Sequence, residues 1–98
     1  MKKVTSFEEL VDLPLYEPLY IIQGITVLFY RKAGYYSDKK DIVVFSSEGN
    51  ITNAIGVSKY TIQSGKTFII GKYDSKFIGD FMVSYLSDQI ESVKDTYL

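Results

Sequence analysis

The chain has 98 residues, of which 46% are apolar and 23% are charged, and its net charge is −1. These values fit one globular domain over residues 1–98, and the lack of cysteine and histidine excludes disulfides, thiolate metal sites and Ser-His or Cys-His catalysis. We therefore expect a protein that is not an enzyme and uses no cofactor. We also expect it to be cytoplasmic and to have no membrane partner, because the sequence has no signal-peptide core and no bilayer-spanning run of about 18 apolar residues.

The N-terminal segment predicts a short helical turn and then extended backbone. Ser6 and Glu9 have the spacing of a capping box, so we expect a helical turn over about Phe7–Val11. Pro14 and Pro18 then end the turn and favour an extended approach to the first strand.

The next segment predicts one long strand and a basic loop. Leu19–Tyr30 is rich in aliphatic and aromatic residues, and the isolated Gly24 predicts a sharp bend within it, as at a barrel corner. Arg31–Lys40 is polar, basic and rich in turn-forming residues, so we interpret it as a long hairpin tip.

The central segment predicts a hairpin and a returning strand. Ile42–Phe45 and Ile51–Val57 are strand-like, and Gly49-Asn50 between them tolerates the positive φ angles of a tight turn. Residues 58–64 are polar, with room for one helical turn. Thr67–Tyr73 predicts the fourth strand. A hairpin followed by a returning strand favours a small antiparallel barrel.

The C-terminal segment predicts a fifth strand and a helix. A loop over residues 74–79 leads into Asp80–Leu86, the predicted fifth strand, in which Phe81, Val83 and Tyr85 are spaced two residues apart and would share one face. Ile90, Val93 and Tyr97 are spaced three and four residues apart, which predicts the apolar stripe of a C-terminal helix.

Four short motifs accompany these elements and carry a family resemblance: Ile22-Gln23-Gly24-Ile25, Glu48-Gly49-Asn50-Ile51, Gly65-Lys66-Thr67-Phe68 and Ile78-Gly79-Asp80-Phe81. Over roughly residues 4–92 their spacing resembles that of OB-fold single-stranded DNA-binding domains of the replication protein A type. The resemblance implies a mainly β chain, with a five-stranded antiparallel OB-fold-like barrel, a short N-terminal helical turn and a C-terminal helix.

The resemblance also implies a nucleic-acid path across strands two and three, between the loops that join strands one to two and four to five. Single-strand binders need cations for the phosphates and aromatic faces for base stacking. Both loops combine the two, and residues 29–77 carry a net charge of +4 between acidic flanks. The candidate nucleic-acid-binding residues are Tyr30, Arg31, Lys32, Tyr35, Tyr36, Lys39 and Lys40 in the first region, Phe45, Asn53 and Lys59 between the loops, and Lys72, Tyr73, Lys76 and Phe77 in the second region.

Several of these residues have a structural alternative. Tyr35 and Tyr36 could pack on the barrel, and Phe45 could belong to the core, because a continuous apolar run does not show which face a residue takes.

These features predict a sequence-tolerant single-stranded DNA or RNA binding protein that serves replication, repair or recombination, with a replication or repair protein as a further partner. The alternative is a protein-interaction module, such as a small accessory subunit of a polymerase, primase or helicase, because small barrels also dock partners through their open faces. In that alternative the stripe Ile90, Val93 and Tyr97 receives the partner instead of packing on the barrel.

Overall fold

A computed structural model describes the backbone of residues 1–47, 50–62 and 66–97, and the side chains of 1–47, 53–62 and 66–88. The described elements are β1 (Lys2–Lys3), α1 (Phe7–Val11), β2 (Pro18–Gln23), β3 (Thr26–Tyr35), β4 (Val43–Ser47), β5 (Asn50–Val57), α2 (Lys59–Ile62), β6 (Thr67–Ile70) and α3 (Ser75–Tyr97).

The strands form one antiparallel sheet in the order β1-β6-β2-β3-β4-β5. The chain is therefore mainly β and antiparallel, as predicted. The number of strands and their closure differ from the prediction, since six strands are present and the described residues do not pair the edge strands β1 and β5 with each other. The sheet is open and is not closed into a barrel.

Two predicted local elements are confirmed. α1 occupies Phe7–Val11, and the backbone N–H of Ser6 donates to Glu9 Oε2 at 3.1 Å, which is the return bond of a capping box. β4 and β5 pair as the predicted hairpin, with Phe45 opposite Ile55. Glu48 and Gly49 lie outside the described residues, so the form of that turn stays a prediction.

The predicted single strand over Leu19–Tyr30 is wrong, because Gly24 begins a hairpin turn. Gln23 pairs with Thr26 across a two-residue loop, and Gly24 has a φ of +61°, a value that favours glycine. The glycine thus reverses the chain where a bend was expected, and one predicted strand becomes β2 and β3.

The predicted fifth strand over Asp80–Leu86 is also wrong, since these residues belong to α3. Asp74 begins the helix: its Oδ1 accepts hydrogen bonds from the backbone N–H groups of Lys76 at 3.0 Å and Phe77 at 3.4 Å. The apolar residues that pack on the sheet are spaced as on one face of a helix, and this pattern, not the two-residue spacing of Phe81, Val83 and Tyr85, determines the structure. They are Phe77, Ile78, Phe81 and Met82.

The two faces of the sheet bury different clusters. One face packs against α1, with Leu10 of the helix against strand residues that include Leu19, Phe45 and Phe68. The other face packs against the first half of α3, where Ile78 meets a small cluster around Tyr20. α1 and α3 thus pack on opposite faces of the sheet, and the connecting loops at its ends are candidate functional surfaces.

Candidate nucleic-acid interface

An open groove of about 640 Å³ lies where the β3–β4 loop meets α2. The sheet register explains this meeting. Tyr35 at the end of β3 pairs with Val43 at the start of β4, and Val43 also pairs with Val57 at the end of β5. The loop that leaves β3 and the helix that follows β5 therefore sit at the same end of the sheet. The groove is lined by Phe7, Lys39, Lys40, Asp41, Ile42, Ser58, Lys59 and Tyr60.

Hydrogen bonds within the β3–β4 loop hold its lysines at the groove. The backbone N–H of Tyr36 donates to the Ile42 carbonyl oxygen at 3.0 Å, and that of Lys40 donates to the Ser37 carbonyl oxygen at 3.1 Å. Ser37 Oγ also donates to Asp41 Oδ1 at 2.5 Å. The loop is thus an ordered turn that presents Lys39 and Lys40. Of the predicted hairpin tip Arg31–Lys40, only the part after Tyr35 lies in this turn, because Arg31–Tyr35 belongs to β3.

The groove is cationic with one carboxylate. Lys39, Lys40 and Lys59 are exposed, and they face the single acidic residue Asp41. The hydrogen bond from Ser37 is the main cause that lowers the pKa of the Asp41 carboxyl below its usual value. Asp41 therefore stays ionised near neutral pH, and the three ammonium groups outnumber it.

Two exposed tyrosines border this cationic surface. Tyr60 is 70% exposed, and the Lys59 ammonium lies 5.1 Å from its ring centroid. Tyr36 is 78% exposed and lines a neighbouring concavity of about 300 Å³ together with Lys40. Aromatic rings exposed beside ammonium groups are suited to base stacking.

Among the predicted site residues, Lys32 and Phe45 are buried and cannot contact a ligand on the surface. Phe45 is fully buried in the core, so of its two predicted places it takes the core. Lys32 is 1% exposed, because it pairs with Phe45 across β3 and β4 next to a register shift at Ala33, and so points to the core face.

Tyr30 and Tyr35 are tied to the same side of the protein. Tyr30 is half-buried against the core that contains Phe45. Tyr35 Oη accepts a hydrogen bond from Lys32 Nζ at 3.0 Å and donates one to the Val11 carbonyl oxygen at 2.7 Å. The packing alternative therefore applies to Tyr35, whereas Tyr36 stays exposed.

The second predicted region lies elsewhere, at the β6–α3 connection. Tyr73 is exposed and its ring lies 5.7 Å from that of Tyr20, which in turn lies 5.3 Å from Phe29. The Arg31 guanidinium lies 5.1 Å from the Phe29 ring and donates to the Tyr16 carbonyl oxygen at 3.1 Å. Arg31 and Tyr73 thus lie at the two ends of a row formed with the rings of Phe29 and Tyr20, and they do not line the groove.

Two other predicted residues of this region, Lys76 and Phe77, make contacts within α3. Lys76 forms an ion pair with Asp80 at 3.3 Å, and the half-buried Phe77 ring lies 5.3 Å from Phe81. Lys72 is exposed beside them, and Asn53 is exposed on β5.

Tyr60 was missed by the sequence reasoning. Its signal was present, since an aromatic residue next to Lys59 in a polar four-residue helix has no core to fill. What the sequence does not show is that α2 meets the β3–β4 loop in space.

The described part of the chain contains no cluster of three or more potential metal-ligating residues. No described helix has the length and apolar character needed to cross a membrane. Comparison with known protein families, curated proteins and solved structures finds no match to this chain.

Proposed function

We propose that this protein binds single-stranded nucleic acid, DNA or RNA, with little sequence preference, through the groove between the β3–β4 loop and α2. One observation carries the proposal: Lys39, Lys40 and Lys59 come from two separate segments and converge on one groove beside the exposed ring of Tyr60.

The chemistry of the groove suits a flexible polyanion. Exposed lysines attract phosphates without fixed geometry, and each neutralised phosphate of a single strand contributes about −0.7 to the slope of log affinity against log salt. A base stacked on Tyr60 adds about 1–3 kcal/mol without selecting one base over another. Asp41 is able to accept a hydrogen bond from an exocyclic amino group, so modest base preferences are compatible with the site.

The proposal does not require a closed OB-fold barrel. The groove forms where two connections meet at one end of an open sheet, and its residues differ in part from those that the resemblance to replication protein A domains implies. A role in replication, repair or recombination would follow from single-strand binding and is proposed on that basis.

The test is fluorescence anisotropy of labelled oligo-dT of about 30 nucleotides over a series of salt concentrations. Duplex DNA and oligo-U of the same length serve as competitors. The groove variant combines Lys39→Gln, Lys40→Gln and Lys59→Gln. The matched control combines Lys66→Gln, Lys72→Gln and Lys76→Gln, which removes the same charge from exposed lysines outside the groove.

We expect the wild type to bind the single strand more tightly than the duplex. The groove variant should lose at least about tenfold in affinity and have a salt slope less negative by about 2, as three lost phosphate contacts imply. The control should retain most of its affinity. Absence of binding by the wild type at low salt would overturn the proposal, and a larger loss in the control variant would move the site to the β6–α3 connection.

A further inference from the structure

Helix α3 carries a second apolar stripe that differs from the one packed on the sheet. Its members are spaced three, four, three and four residues apart, as in the a and d positions of a heptad repeat. Val83 is 63% exposed and Leu86 is 47% exposed, so two neighbouring members of the stripe are uncovered. The stripe consists of Val83, Leu86, Ile90, Val93 and Tyr97.

This stripe begins where α3 leaves the sheet. Ile78, Phe81 and Met82 pack on the sheet, and the Tyr85 hydroxyl lies over the β2–β3 turn, 3.4 Å from where a Cβ on Gly24 would be. Since that turn is one end of the sheet, the helix beyond Tyr85 continues past it. The molecule is accordingly 54 Å long but only 26 and 24 Å across.

The two stripes also face different directions. With about 100° of rotation per residue, the a and d positions lie roughly 110° around the helix from the sheet-facing residues. Packing of α3 on its own sheet therefore leaves Val83 and Leu86 uncovered, in agreement with their exposure.

We propose that this stripe pairs with the same stripe of a second copy of the chain, forming a short parallel two-stranded coiled coil. The a positions hold Val83, Ile90 and Tyr97, and the d positions hold Leu86 and Val93. In the first heptad, β-branched residues at a with leucine at d are the combination that favours two parallel strands. A stripe with this pattern is complementary to itself, so a second copy is the partner that it fits.

The charges along α3 are compatible with self-association. In a parallel pair the g position of one helix faces the following e position of the other, which places Gln89 next to the partner's Lys94 and brings no like charges together. The carboxylates occupy positions b and f, away from the seam. They are Asp88, Glu91 and Asp95.

The dimer would leave the nucleic-acid groove open. The groove lies at the end of the sheet where β3 ends and β4 begins, whereas α3 leaves the sheet at the opposite end, beside Gly24. The two proposals thus concern separate surfaces and can fail independently.

The first test is sedimentation equilibrium of the full chain between about 10 and 500 μM, because a dimer of folded chains depends on concentration. Two heptads are fewer than the three or four that mark a long coiled coil, so a reversible dimer is expected. The seam variant combines Leu86→Lys and Ile90→Lys. Its matched control combines Ser84→Lys and Ser92→Lys, which adds the same number of lysines at b and c positions.

We expect the wild type and the control to dimerise and the seam variant to remain monomeric with an unchanged circular dichroism spectrum. A wild type that stays monomeric at the highest concentration would overturn the proposal, as would a seam variant that dimerises like the control. The proposal would also be overturned if no dimer forms and the wild-type helix instead captures another protein from a lysate.

The parallel orientation has its own test, helped by the absence of cysteine from the chain. A single Leu86→Cys substitution places two thiols side by side at a d layer of a parallel pair, so mild oxidation should yield a covalent dimer. Ser84→Cys, on the outer surface, should yield little. A dimer that persists in solution without crosslinking at residue 86 would rule out the parallel arrangement.

Discussion

The ammonium nitrogen of Lys32 lies 2.9 Å from the carbonyl oxygen of Leu10, so a buried cation on β3 closes the C-terminal end of α1. The same nitrogen lies 2.7 Å from the carbonyl oxygen of Val11 and also contacts that of Leu13, so with Tyr35 Oη four acceptors share the three N–H groups of the ammonium. The last carbonyls of a helix lack partners within the helix and carry partial negative charge. Lys32 supplies both the hydrogen bonds and the positive charge, and it anchors α1 to the sheet.

Replacing this lysine should strongly destabilise the protein. Lys32→Met keeps the aliphatic volume but removes the donor to the carbonyl oxygens of Leu10 and Leu13, so we expect a loss of about 2–4 kcal/mol in the free energy of unfolding. Urea denaturation followed by circular dichroism measures it. Lys39→Met, at an exposed lysine, is the control and should change stability by less than about 0.5 kcal/mol. Equal effects of the two substitutions would contradict the anchoring role.

The capping carboxylate of α1 should make stability depend on pH in the acid range. Hydrogen bonds from Lys2, and then from the backbone N–H groups of Thr5 and Ser6, lower the pKa of Glu9 from 4.5 to about 2. Because the folded state has the lower pKa, the stabilisation is complete above about pH 4.5 and is lost as the pH falls toward 2.

Glu9→Gln tests this dependence. We expect it to cost about 1 kcal/mol at pH 7, a value reduced from the full pKa shift because Lys2 is exposed and solvent screens the pair. At pH 2 the variant and the wild type should have the same stability in urea titrations. Glu8→Gln, on the exposed side of the same turn, is the control and should show no such convergence. A constant difference between Glu9→Gln and the wild type across the range would refute the assignment.

Alanine substitutions at two glycines should change the stability of the protein in opposite directions. Gly24 has a positive φ in the β2–β3 turn, so Gly24→Ala should destabilise by about 1–2 kcal/mol. Gly79 lies within α3, where an added Cβ would meet no atom within 4 Å. Gly79→Ala should therefore stabilise by about 0.5–1 kcal/mol. Thermal unfolding of both variants measures the pair, and a stabilising Gly24→Ala would argue against the two-residue hairpin.

The exposed ring beside the groove should matter for binding and not for folding. Tyr60→Ala should weaken oligo-dT binding by about 1–3 kcal/mol, because one stacked base loses its platform. Tyr60→Phe keeps the ring and should bind almost as the wild type does, while both variants melt together. If Tyr60→Ala and the wild type bind equally in the anisotropy assay, the strand does not pass over this residue.

Local patterns in the sequence predicted the elements that depend on neighbouring residues. The Ser6–Glu9 capping box and the β4–β5 hairpin depend on contacts between nearby residues, and both are confirmed. Residues 58–64, which had room for one helical turn, contain α2. The strand prediction for Asp80–Leu86 failed because these residues contain both the two-residue spacing typical of a strand and the three- and four-residue spacing typical of a helix. Packing of Phe81 and Met82 on a sheet made from distant segments decides in favour of the helix.

The sequence by itself determined that the chain has no thiol or imidazole chemistry and that its middle is cationic, and its residue patterns predicted the mainly β, antiparallel fold that the structure confirms. Only the tertiary structure decided which cations are available. Lys32 and Lys39 look equivalent in the sequence, yet Lys32 pairs with the core residue Phe45 and is buried, whereas Lys39 lies in the β3–β4 loop and is exposed. The strand pairing also brings Lys59 to the loop of Lys39 and Lys40, because Val43 pairs with both β3 and β5. Such pairings join residues far apart in the chain, and no local pattern encodes them.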